Sequence, residues 1–261
     1  MLALIAGRGE LPRAVVQAQD RPVLICALDG SPPDSVEASH VFALERLGGF
    51  LRVLRARGVR QVCLCGAVSR PRINWLRLDL ATLALLPKIR RALKRGDDGA
   101  LRIAISILEE AGFQVIAAHE AAPDLLPAAG CPTRVQPDDT ARLAAAQGDR
   151  VSDAQGAQDL GQACVVTDTQ VLAREDAAGT DAMLAGLGAA PGAVFYKAPK
   201  PGQDRRADLP VIGPATAQRA AQLGLAGLII EAGGVMVLDR GAVIDILDKA
   251  GLFLWVRERP L

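Results

Sequence analysis

Residues 2–12 read Leu-Ala-Leu-Ile-Ala-Gly-Arg-Gly-Glu-Leu-Pro, and they decide the fold class of this chain. The continuous apolar run Leu2–Ala6 predicts a strand that closes at Gly7, and Pro12 suits the first turn of a following helix. Gly7 and Gly9 would let the backbone approach a phosphate or a sugar beside the N terminus of that helix. The same residues also suit an ordinary turn, because a dinucleotide-binding fingerprint would place a third glycine where Pro12 stands.

Strands and helices continue to alternate after this turn. Pro22–Leu28 and Gln61–Cys65 read as strands, and Gly48–Arg57 reads as a helix. Such alternation predicts a Rossmann-like α/β domain with a parallel sheet, in which ligands bind at the carboxyl ends of the strands. Ser69 and Arg70 follow the second of these strands, so they are placed to meet a diphosphate or a uridine. A solvated loop is the competing interpretation.

A segment without periodicity separates the two halves of the chain. Residues 123–137 contain four prolines and a glycine, which is typical of a linker. The domain boundary is therefore expected near Gly130, and the predicted domains are residues 1–130 and 131–261.

The second half mixes hairpins with strand-and-helix units. Ala163–Thr167 and Gln170–Ala173 read as a strand pair. Leu228–Glu231 and Val235–Leu238 read as a hairpin across two glycines. We therefore predict two α/β domains, the first with a parallel sheet and the second with a mixed sheet.

Composition excludes several classes of protein. Thirty basic residues against 29 acidic ones give a net charge of +1, too small for a general nucleic-acid-binding surface, and aromatic residues make up only 3% of the chain. The five cysteines and two histidines lack zinc-like spacing, and free thiols in a reducing cytosol fit them best. The opening residues lack the pattern of a signal peptide, and no apolar run approaches the roughly 18 residues of a membrane span. We therefore expect a cytoplasmic protein.

Residues 74–95 read as a largely helical segment with an apolar part and a basic part. Leu76, Leu80 and Leu83 recur at helical spacing, and Pro87 must break or restart the helix. Five cations follow within the last eight residues of this segment, and they would be attracted to an anionic membrane surface. A solvated helical face is the competing interpretation and the one that the sequence favours.

The loop Lys197–Gly213 concentrates charge between two predicted apolar strands. Asp204 and Asp208 offer hard oxygen ligands that suit Mg²⁺. The cations of the loop can neutralise phosphate oxygens, and they are Lys197, Lys200, Arg205 and Arg206. This combination predicts a site for phosphoryl transfer, whereas a charged surface loop paired with itself is the competing interpretation.

This loop, together with Gly179–Asp181, Asp159–Gln162 and the opening Leu4–Pro12, resembles the LpxI-type UDP-2,3-diacylglucosamine pyrophosphatases. The resemblance covers essentially the whole chain, and its one mild departure is Ala207, where a bulkier side chain is expected. It implies metal-dependent hydrolysis of UDP-2,3-diacylglucosamine to UMP and 2,3-diacylglucosamine 1-phosphate, called lipid X, in lipid A synthesis. It further implies that the first domain binds UDP, that the second binds lipid X, and that the reaction takes place in the cleft between them.

Roles for individual residues follow from this resemblance and from the charges of the loop. Asp204 and Asp208 would bind Mg²⁺ or another divalent cation, which would bridge diphosphate oxygens and lower the pKa of an attacking water. The expected catalytic residues are Asp204, Asp208, Lys197 and Arg205. The expected substrate-binding residues are Gly7, Gly9, Glu10, Leu11, Ser69, Arg70, Asp97, Gln162, Thr180, Asp181, Lys200 and Gln203. Helix capping is the competing role for Asp97, Thr180 and Asp181.

Three classes of function compete for this sequence. The glycine turn suggests a nucleotide-dependent oxidoreductase, but the third glycine is missing. A catalytically inert nucleotide-sugar sensor has no evident need for two aspartates interleaved with four cations. The hydrolase is therefore favoured, with its substrate, UMP and lipid X as partners and without nucleic acid. Peripheral contact with the cytoplasmic face of the inner membrane and a homo-oligomeric state are left open.

Overall fold

The structure is a computed structural model that describes residues 1–69, 73–158, 160–201, 204–206 and 208–259, with the backbone alone at 75, 97 and 98. The chain divides into two compact units. The first comprises Met1–Pro123 with Asp204–Asp208, and the second comprises Asp124–Gln203 with Leu209–Leu261. The acidic part of the charged loop therefore belongs by its contacts to the first unit.

A five-stranded sheet forms the centre of the first unit, and all of its strand pairs are parallel. The strands are β1 (Leu2–Ala6), β2 (Leu24–Leu28), β3 (His40–Phe42), β4 (Gln61–Cys65) and β5 (Gln114–Ile116). Their order is β3-β2-β1-β4-β5, the order of a Rossmann sheet, which reverses between β1 and β4. The prediction of a Rossmann-like first domain with a parallel sheet is confirmed.

Helices connect these strands and share one apolar core with them. They are α1 (Leu11–Gln17), α2 (Leu47–Ala56), α3 (Leu80–Leu83), α4 (Leu86–Leu93), α5 (Asp97–Glu110) and α6 (Ala118–Ala121). Phe50 and Leu54 of α2 pack in this core with Ile105 of α5 and Val62 of β4. The core thus fixes where each strand ends, and it is at the strand ends that the predicted binding residues begin.

The segment predicted as largely helical over residues 74–95, with a break or restart at Pro87, consists of three separate pieces. A 3-10 turn at Trp75–Arg77 precedes α3, and α4 follows with Pro87 in its first turn. The breaks have a local cause, because the side chains of Asn74 and Asp79 each accept a hydrogen bond from a backbone N–H just beyond them, at 3.1 and 2.6 Å. Each of these side chains begins a new turn.

The second unit is built on a five-stranded mixed sheet in the order β12-β10-β8-β6-β7. The strands of this sheet are β6 (Ala163–Val166), β7 (Val171–Arg174), β8 (Val194–Lys197), β10 (Gly227–Glu231) and β12 (Phe253–Arg257). A separate two-stranded sheet consists of β9 (Val211–Ile212) and β11 (Met236–Val237). Strands β8, β10 and β12 are parallel, whereas β6 is antiparallel to both β7 and β8. The predicted mixed sheet and the predicted β6–β7 pair are confirmed.

The predicted hairpin across Gly233 and Gly234 is wrong. Both edges of β10 are occupied by parallel neighbours, β8 on one side and β12 on the other. Strand β11 pairs instead with β9, again in parallel. Two apolar runs separated by a glycine pair resemble a hairpin locally, but the edges of β10 are already used by strands distant in sequence.

The helices of the second unit are α7 (Asp139–Ala157), α8 (Thr180–Gly186), α9 (Pro214–Gln222) and α10 (Arg240–Ala250). The sequence reads as two helices over the region of α7, at Thr140–Asp149 and Val151–Leu160, but the structure has one helix. It is opened by Asp138, whose side chain accepts a hydrogen bond from the N–H of Ala141 at 2.8 Å. Among the helices of the described residues, none is long and apolar enough to cross a membrane.

Two predicted helix caps are wrong. Helix α5 begins at Asp97 with Gly96 as its N-cap residue, and helix α8 begins at Thr180 with Gly179 in that place. Gly179 has φ +89, a conformation that favours glycine. Asp97 and Thr180 therefore lie one residue inside their helices, and the side chain of Thr180 is left for another partner.

The mid-helix glycine Gly148 has a packing role in α7. A Cβ atom at this position would lie 2.3 Å from Cδ2 of Tyr196, a residue of β8. The next residue, Asp149, accepts a hydrogen bond from the Tyr196 hydroxyl at 2.6 Å. The missing side chain thus lets the helix approach the sheet closely enough for this bond to form.

We predict that Gly148→Ala destabilises the protein by about 1–3 kcal/mol, because the added methyl group meets a rigid aromatic ring. At a helix position without such a neighbour, the same change is stabilising by up to about 1 kcal/mol. Gly241 in α10 provides the matched control, since nothing lies within 4 Å of a Cβ built there. Thermal melts of Gly148→Ala and Gly241→Ala check the prediction, and a melting temperature of Gly148→Ala at or above that of the unmodified protein would contradict it.

Candidate active site

The strand exits at the order reversal of the first sheet are joined to each other by the backbone. Gly7 N donates to Cys65 O at 2.8 Å, and Arg8 and Ala67 exchange two hydrogen bonds of 2.8 and 2.9 Å. A Cβ at Gly7 would lie 2.4 Å from Ala67 O. Gly7 is thus required for the close approach of the two exits, and the amides of Gly7 and Arg8 already have protein acceptors.

The following residues of the glycine turn are also engaged. Gly9 has φ +96, its N–H donates to Asp34 Oδ1 at 2.7 Å, and its carbonyl accepts from Ser35 Oγ at 2.6 Å. Glu10 forms an ion pair with Arg13 at 3.1 Å, and the partly buried Leu11 is the first residue of α1. A phosphate would have to displace the Asp34 carboxylate to reach the Gly9 amide. Asp34 and Ser35 were missed by the sequence reasoning because they lie 25 and 26 residues further along the chain.

The exit of β4 carries Ser69, which was predicted to bind substrate. Its N–H donates to the hydroxyl of the buried Ser31 at 3.1 Å. Arg70, Gln203 and the side chain of Asp97, which were also predicted to bind substrate, lie outside the described residues. The first unit thus places Ser69 at the carboxyl edge of its sheet, where Rossmann sheets bind ligands.

The carboxylate of Asp204 is held by Arg206. Its Oδ1 accepts from the Arg206 backbone N–H at 3.1 Å and from Nε at 3.0 Å, and its Oδ2 accepts from a terminal guanidinium nitrogen at 2.8 Å. The other terminal nitrogen of Arg206 reaches Glu109 of α5 at 2.5 Å. These contacts form the Glu109–Arg206–Asp204 chain, in which a fixed guanidinium is shared by two carboxylates.

The same contacts keep Asp204 ionised. Hydrogen bonds from the Arg206 side chain hold the pKa of Asp204 below its usual range, against the opposing effect of partial burial and with a further contribution from the charge of Arg102. The loop also closes on itself, because Asp208 N donates to Asp204 O at 3.3 Å. The pairing of Asp204 with Arg206 could be anticipated from the sequence, but Glu109, 97 residues away, could not.

His119 is a further residue of this unit that sequence reasoning did not single out for the site. It lies in α6, which follows β5 at the carboxyl edge of the sheet. Burial lowers its pKa, and the charge of Arg205 lowers it further, whereas Glu120 raises it. These surroundings favour the neutral imidazole. Its Nδ1 atom is buried, and no described residue forms a hydrogen bond with it.

In the second unit, the buried Lys197 and the partly buried Thr180 are brought together. Lys197 ends β8 and is only 6% exposed. Its ammonium donates to Thr180 Oγ1 at 2.9 Å and to Val211 O at 3.0 Å. A predicted catalytic cation and a predicted substrate-binding hydroxyl thus occupy one place, at the carboxyl end of a parallel strand.

The charged loop continues directly from this lysine, and Gln162 contacts its next residue, Ala198. Gln162 O accepts from Ala198 N at 3.1 Å, and Gln162 N donates to Glu175 Oε2 at 2.9 Å. Two prolines of the loop pack closely against glycines. A Cβ atom at Gly156 would lie 2.4 Å from Pro201, and one at Gly234 would lie 2.8 Å from Pro199.

Lys200 lies between these two prolines and is partly buried, whereas Asp181 is exposed in the first turn of α8. The seated prolines therefore fix the start of the charged loop around Lys200, while Asp181 remains on the surface of its helix.

The side chains fit only one kind of metal site. No group of three or more histidine, cysteine, aspartate or glutamate side chains that could hold an ion is found among the described residues. Asp204 and Asp208 supply two carboxylates, and Asp204 already accepts three hydrogen bonds from Arg206. This set suits Mg²⁺, which takes one or two carboxylates and completes its shell with water and phosphate oxygens. It does not suit a closed structural metal centre.

The fold and the loop define a protein of two α/β domains, a Rossmann-like one followed by one with a mixed sheet, with a charged loop at Lys197–Gly213. The chain matches the LpxI N-terminal domain over residues 1–125 and the LpxI C-terminal domain over residues 128–255. It is 37% identical to the UDP-2,3-diacylglucosamine pyrophosphatase LpxI of Caulobacter vibrioides, and the alignment covers 99% of each chain. The protein belongs to the LpxI family.

We predict that Asp204→Asn opens the loop to trypsin after Arg205 and Arg206. The change replaces charge-assisted hydrogen bonds by weaker neutral ones, and a cost of about 1–2 kcal/mol raises the open population by about five- to thirtyfold. Glu109→Gln is the matched control. The Glu109 side chain is 45% exposed, so its ion pair with Arg206 should contribute little to the stability of the loop. Rates of tryptic cleavage under native conditions check this, and equal rates in both variants would show that Asp204 does not hold the loop closed.

Proposed function

We propose that this protein hydrolyses the diphosphate of UDP-2,3-diacylglucosamine to UMP and lipid X in lipid A synthesis. The observation that carries the proposal is the match over 99% of the chain to a protein named for this pyrophosphatase activity. The charged loop supports it independently, because a diphosphate needs cations on its oxygens and this loop supplies lysines and arginines in fixed positions.

Lys197 is the cation whose role is best supported by its surroundings. A lysine that is only 6% exposed is costly unless it is hydrogen-bonded, and here a hydroxyl and a carbonyl accept its protons. Both of these acceptors are neutral groups. We assign Lys197 to the stabilisation of the charge that develops as the phosphoanhydride breaks.

Asp204 has a positioning role in this proposal. It holds the guanidinium of Arg206 with two hydrogen bonds and the Arg206 backbone N–H with a third, so that this side chain does not have to be ordered during the reaction. Lys200 and Asp204 are four residues apart, which limits the distance between their Cα atoms to about 14 Å. The proposal that Lys197, Lys200 and Arg206 serve one substrate rests on the family resemblance of this loop.

Metal dependence is part of the proposal, with Asp204 and Asp208 as the residues that would hold the ion. When bound, a divalent cation would neutralise diphosphate oxygens and lower the pKa of a water molecule. Asp208 would contribute the second carboxylate to the ion. Reaction in the cleft between the domains, with UDP in the first and lipid X in the second, remains a prediction from the family resemblance.

The oxidoreductase alternative has less support. The strand order of the first sheet also occurs in dinucleotide-dependent enzymes, but this is a similarity of fold alone. The amides of Gly7, Arg8 and Gly9, which would bind a pyrophosphate in such an enzyme, donate to protein acceptors. The full-length match favours the hydrolase.

We expect Lys197→Met to lower kcat/KM by about 10²–10³-fold, the loss typical of one group that stabilises developing charge. Stability should fall by no more than about 1–3 kcal/mol, because Thr180 Oγ1 and Val211 O lose their donor while an apolar side chain of similar length fills the space. Lys249→Met, at an exposed position of α10, is the matched control and should retain full activity. UMP release, measured by chromatography with Mg²⁺ present, tests the proposal together with thermal melts. Unchanged turnover by folded Lys197→Met would remove this lysine from the site, and no turnover by the unmodified protein would overturn the proposed reaction.

Chelation should separate a catalytic metal from a structural one. We expect EDTA to stop UMP release and Mg²⁺ to restore it, while the melting temperature moves by less than about 2 °C. The second expectation follows from the lack of any cluster of three ligand side chains among the described residues. Full turnover in EDTA would end the proposal of metal dependence, whereas a large fall in melting temperature would reveal a structural ion.

A further inference from the structure

Three leucines on one short segment of the first unit are turned to the surface. Leu76, Leu80 and Leu83 are 97%, 87% and 45% exposed. Single exposed leucines are common in proteins, whereas three within eight residues are typical of a surface that binds a partner or a membrane. Leu143 and Leu172, by comparison, are exposed singly and lie far apart in sequence.

The segment that carries these leucines is held by buried polar contacts. Glu45, only 8% exposed, accepts from Asn74 N at 2.6 Å, and its backbone carbonyl accepts from Asp79 N at 3.2 Å. Thr82 is fully buried, and its hydroxyl accepts from Gly48 N at 2.9 Å.

Close packing adds to these bonds. A Cβ at Gly48 would lie 2.5 Å from the backbone of Ala81, so α2 and α3 touch at this point. Asp79 accepts from Gly49 N at 3.1 Å, and it also opens α3. Polar and small side chains thus face inward here while the leucines point out, which is the reverse of an ordinary surface segment.

The same segment is strongly basic. Residues 76–95 contain six cations and a single acidic residue, Asp79, which is turned toward α2. Arg77 stands exposed between the leucines, and Arg91 and Lys94 are exposed at the end of α4, whose Ile89 is buried in the core. Lys88 is paired with Glu110 and is not counted among these exposed cations.

We infer that this leucine–arginine surface, composed of Leu76, Leu80 and Leu83 with Arg77, Arg91 and Lys94, docks on an anionic lipid bilayer. The leucines enter the boundary between headgroups and acyl chains, and the cations contact lipid phosphates. A basic patch repels a second copy of itself, so charge favours the bilayer over a homodimer as the occupant. The inference rests on the proposed function in one respect, since a diacylated substrate is itself held in such a bilayer.

Sedimentation of the full-length protein with lipid vesicles tests the inference. The vesicles contain phosphatidylcholine with about 30 mol % phosphatidylglycerol, a strongly anionic mixture, or phosphatidylcholine alone. We expect binding to the anionic vesicles, loss of most of it in about 1 M salt, and an approximately fivefold loss for each exposed cation replaced by glutamine.

The decisive variant is L76S/L80S, which should bind about 100-fold more weakly, because two leucines lose their contact with the bilayer. Both side chains are more than four-fifths exposed, so the core is untouched and the melting temperature should be retained. The matched control L143S/L172S changes two exposed leucines elsewhere and should bind as the unmodified protein does. Equal binding by L76S/L80S and by the control would overturn the inference.

Two further measurements separate this inference from its rivals and from the proposed function. Analytical ultracentrifugation without vesicles should show no self-association that L76S/L80S abolishes, and such an effect would assign the patch to a second copy instead. Turnover of a dispersed short-chain substrate should be unchanged in L76S/L80S, while turnover of vesicle-borne substrate falls. If the unmodified protein turns over neither substrate, the proposed function fails, and vesicle binding still decides the docking surface.

Discussion

Parallel pairing of strands is the constraint on which the placement of charge in this protein depends. In each unit it brings carboxyl ends of several strands to one edge, so that the residues just beyond them become neighbours. In the first sheet this joins the exits of β1 and β4 through Arg8 and Ala67. In the second sheet it leaves Lys197 at the end of β8, beside Ile230 of β10. The lysine is buried because strands flank it, and its ammonium donates to Thr180 Oγ1 and Val211 O.

The sequence was most informative about elements that a local hydrophobic pattern defines. The bounds of β1 and β4 agree with the runs that predicted them, and the two sheet types were anticipated from the order of strands and helices. The helix caps were misplaced by one residue, and the larger errors arose where a distant strand decides the outcome. Neither the partners of β10 nor the contact of Gly148 with Tyr196 has a local signature.

The candidate site shows the same division between local and distant information. Residue types in the charged loop predicted phosphate and metal chemistry, and the pairing of Asp204 with Arg206 was visible as an alternative. The acceptors that fix the geometry lie elsewhere in the chain, and they include Asp34, Glu109 and Thr180. Of these only Thr180 was anticipated, from the family resemblance, and its contact with Lys197 was not. Spacing along the chain cannot reveal such partners, because the fold alone brings them together.

The bridge between Arg8 and Ala67 has a consequence for how a nucleotide diphosphate can be recognised. Many Rossmann proteins grip phosphates with a nest of amide dipoles, which are short-ranged and little affected by ions in solution. Here the amides of Gly7, Arg8 and Gly9 donate to protein acceptors, so the proposed function assigns recognition of the diphosphate to full charges on lysine and arginine side chains. Attraction between full charges acts over a Debye length and weakens as that length shrinks. Affinity for the diphosphate is therefore tied to the ionic strength of the surroundings, as it is for proteins that hold nucleic acid by its backbone.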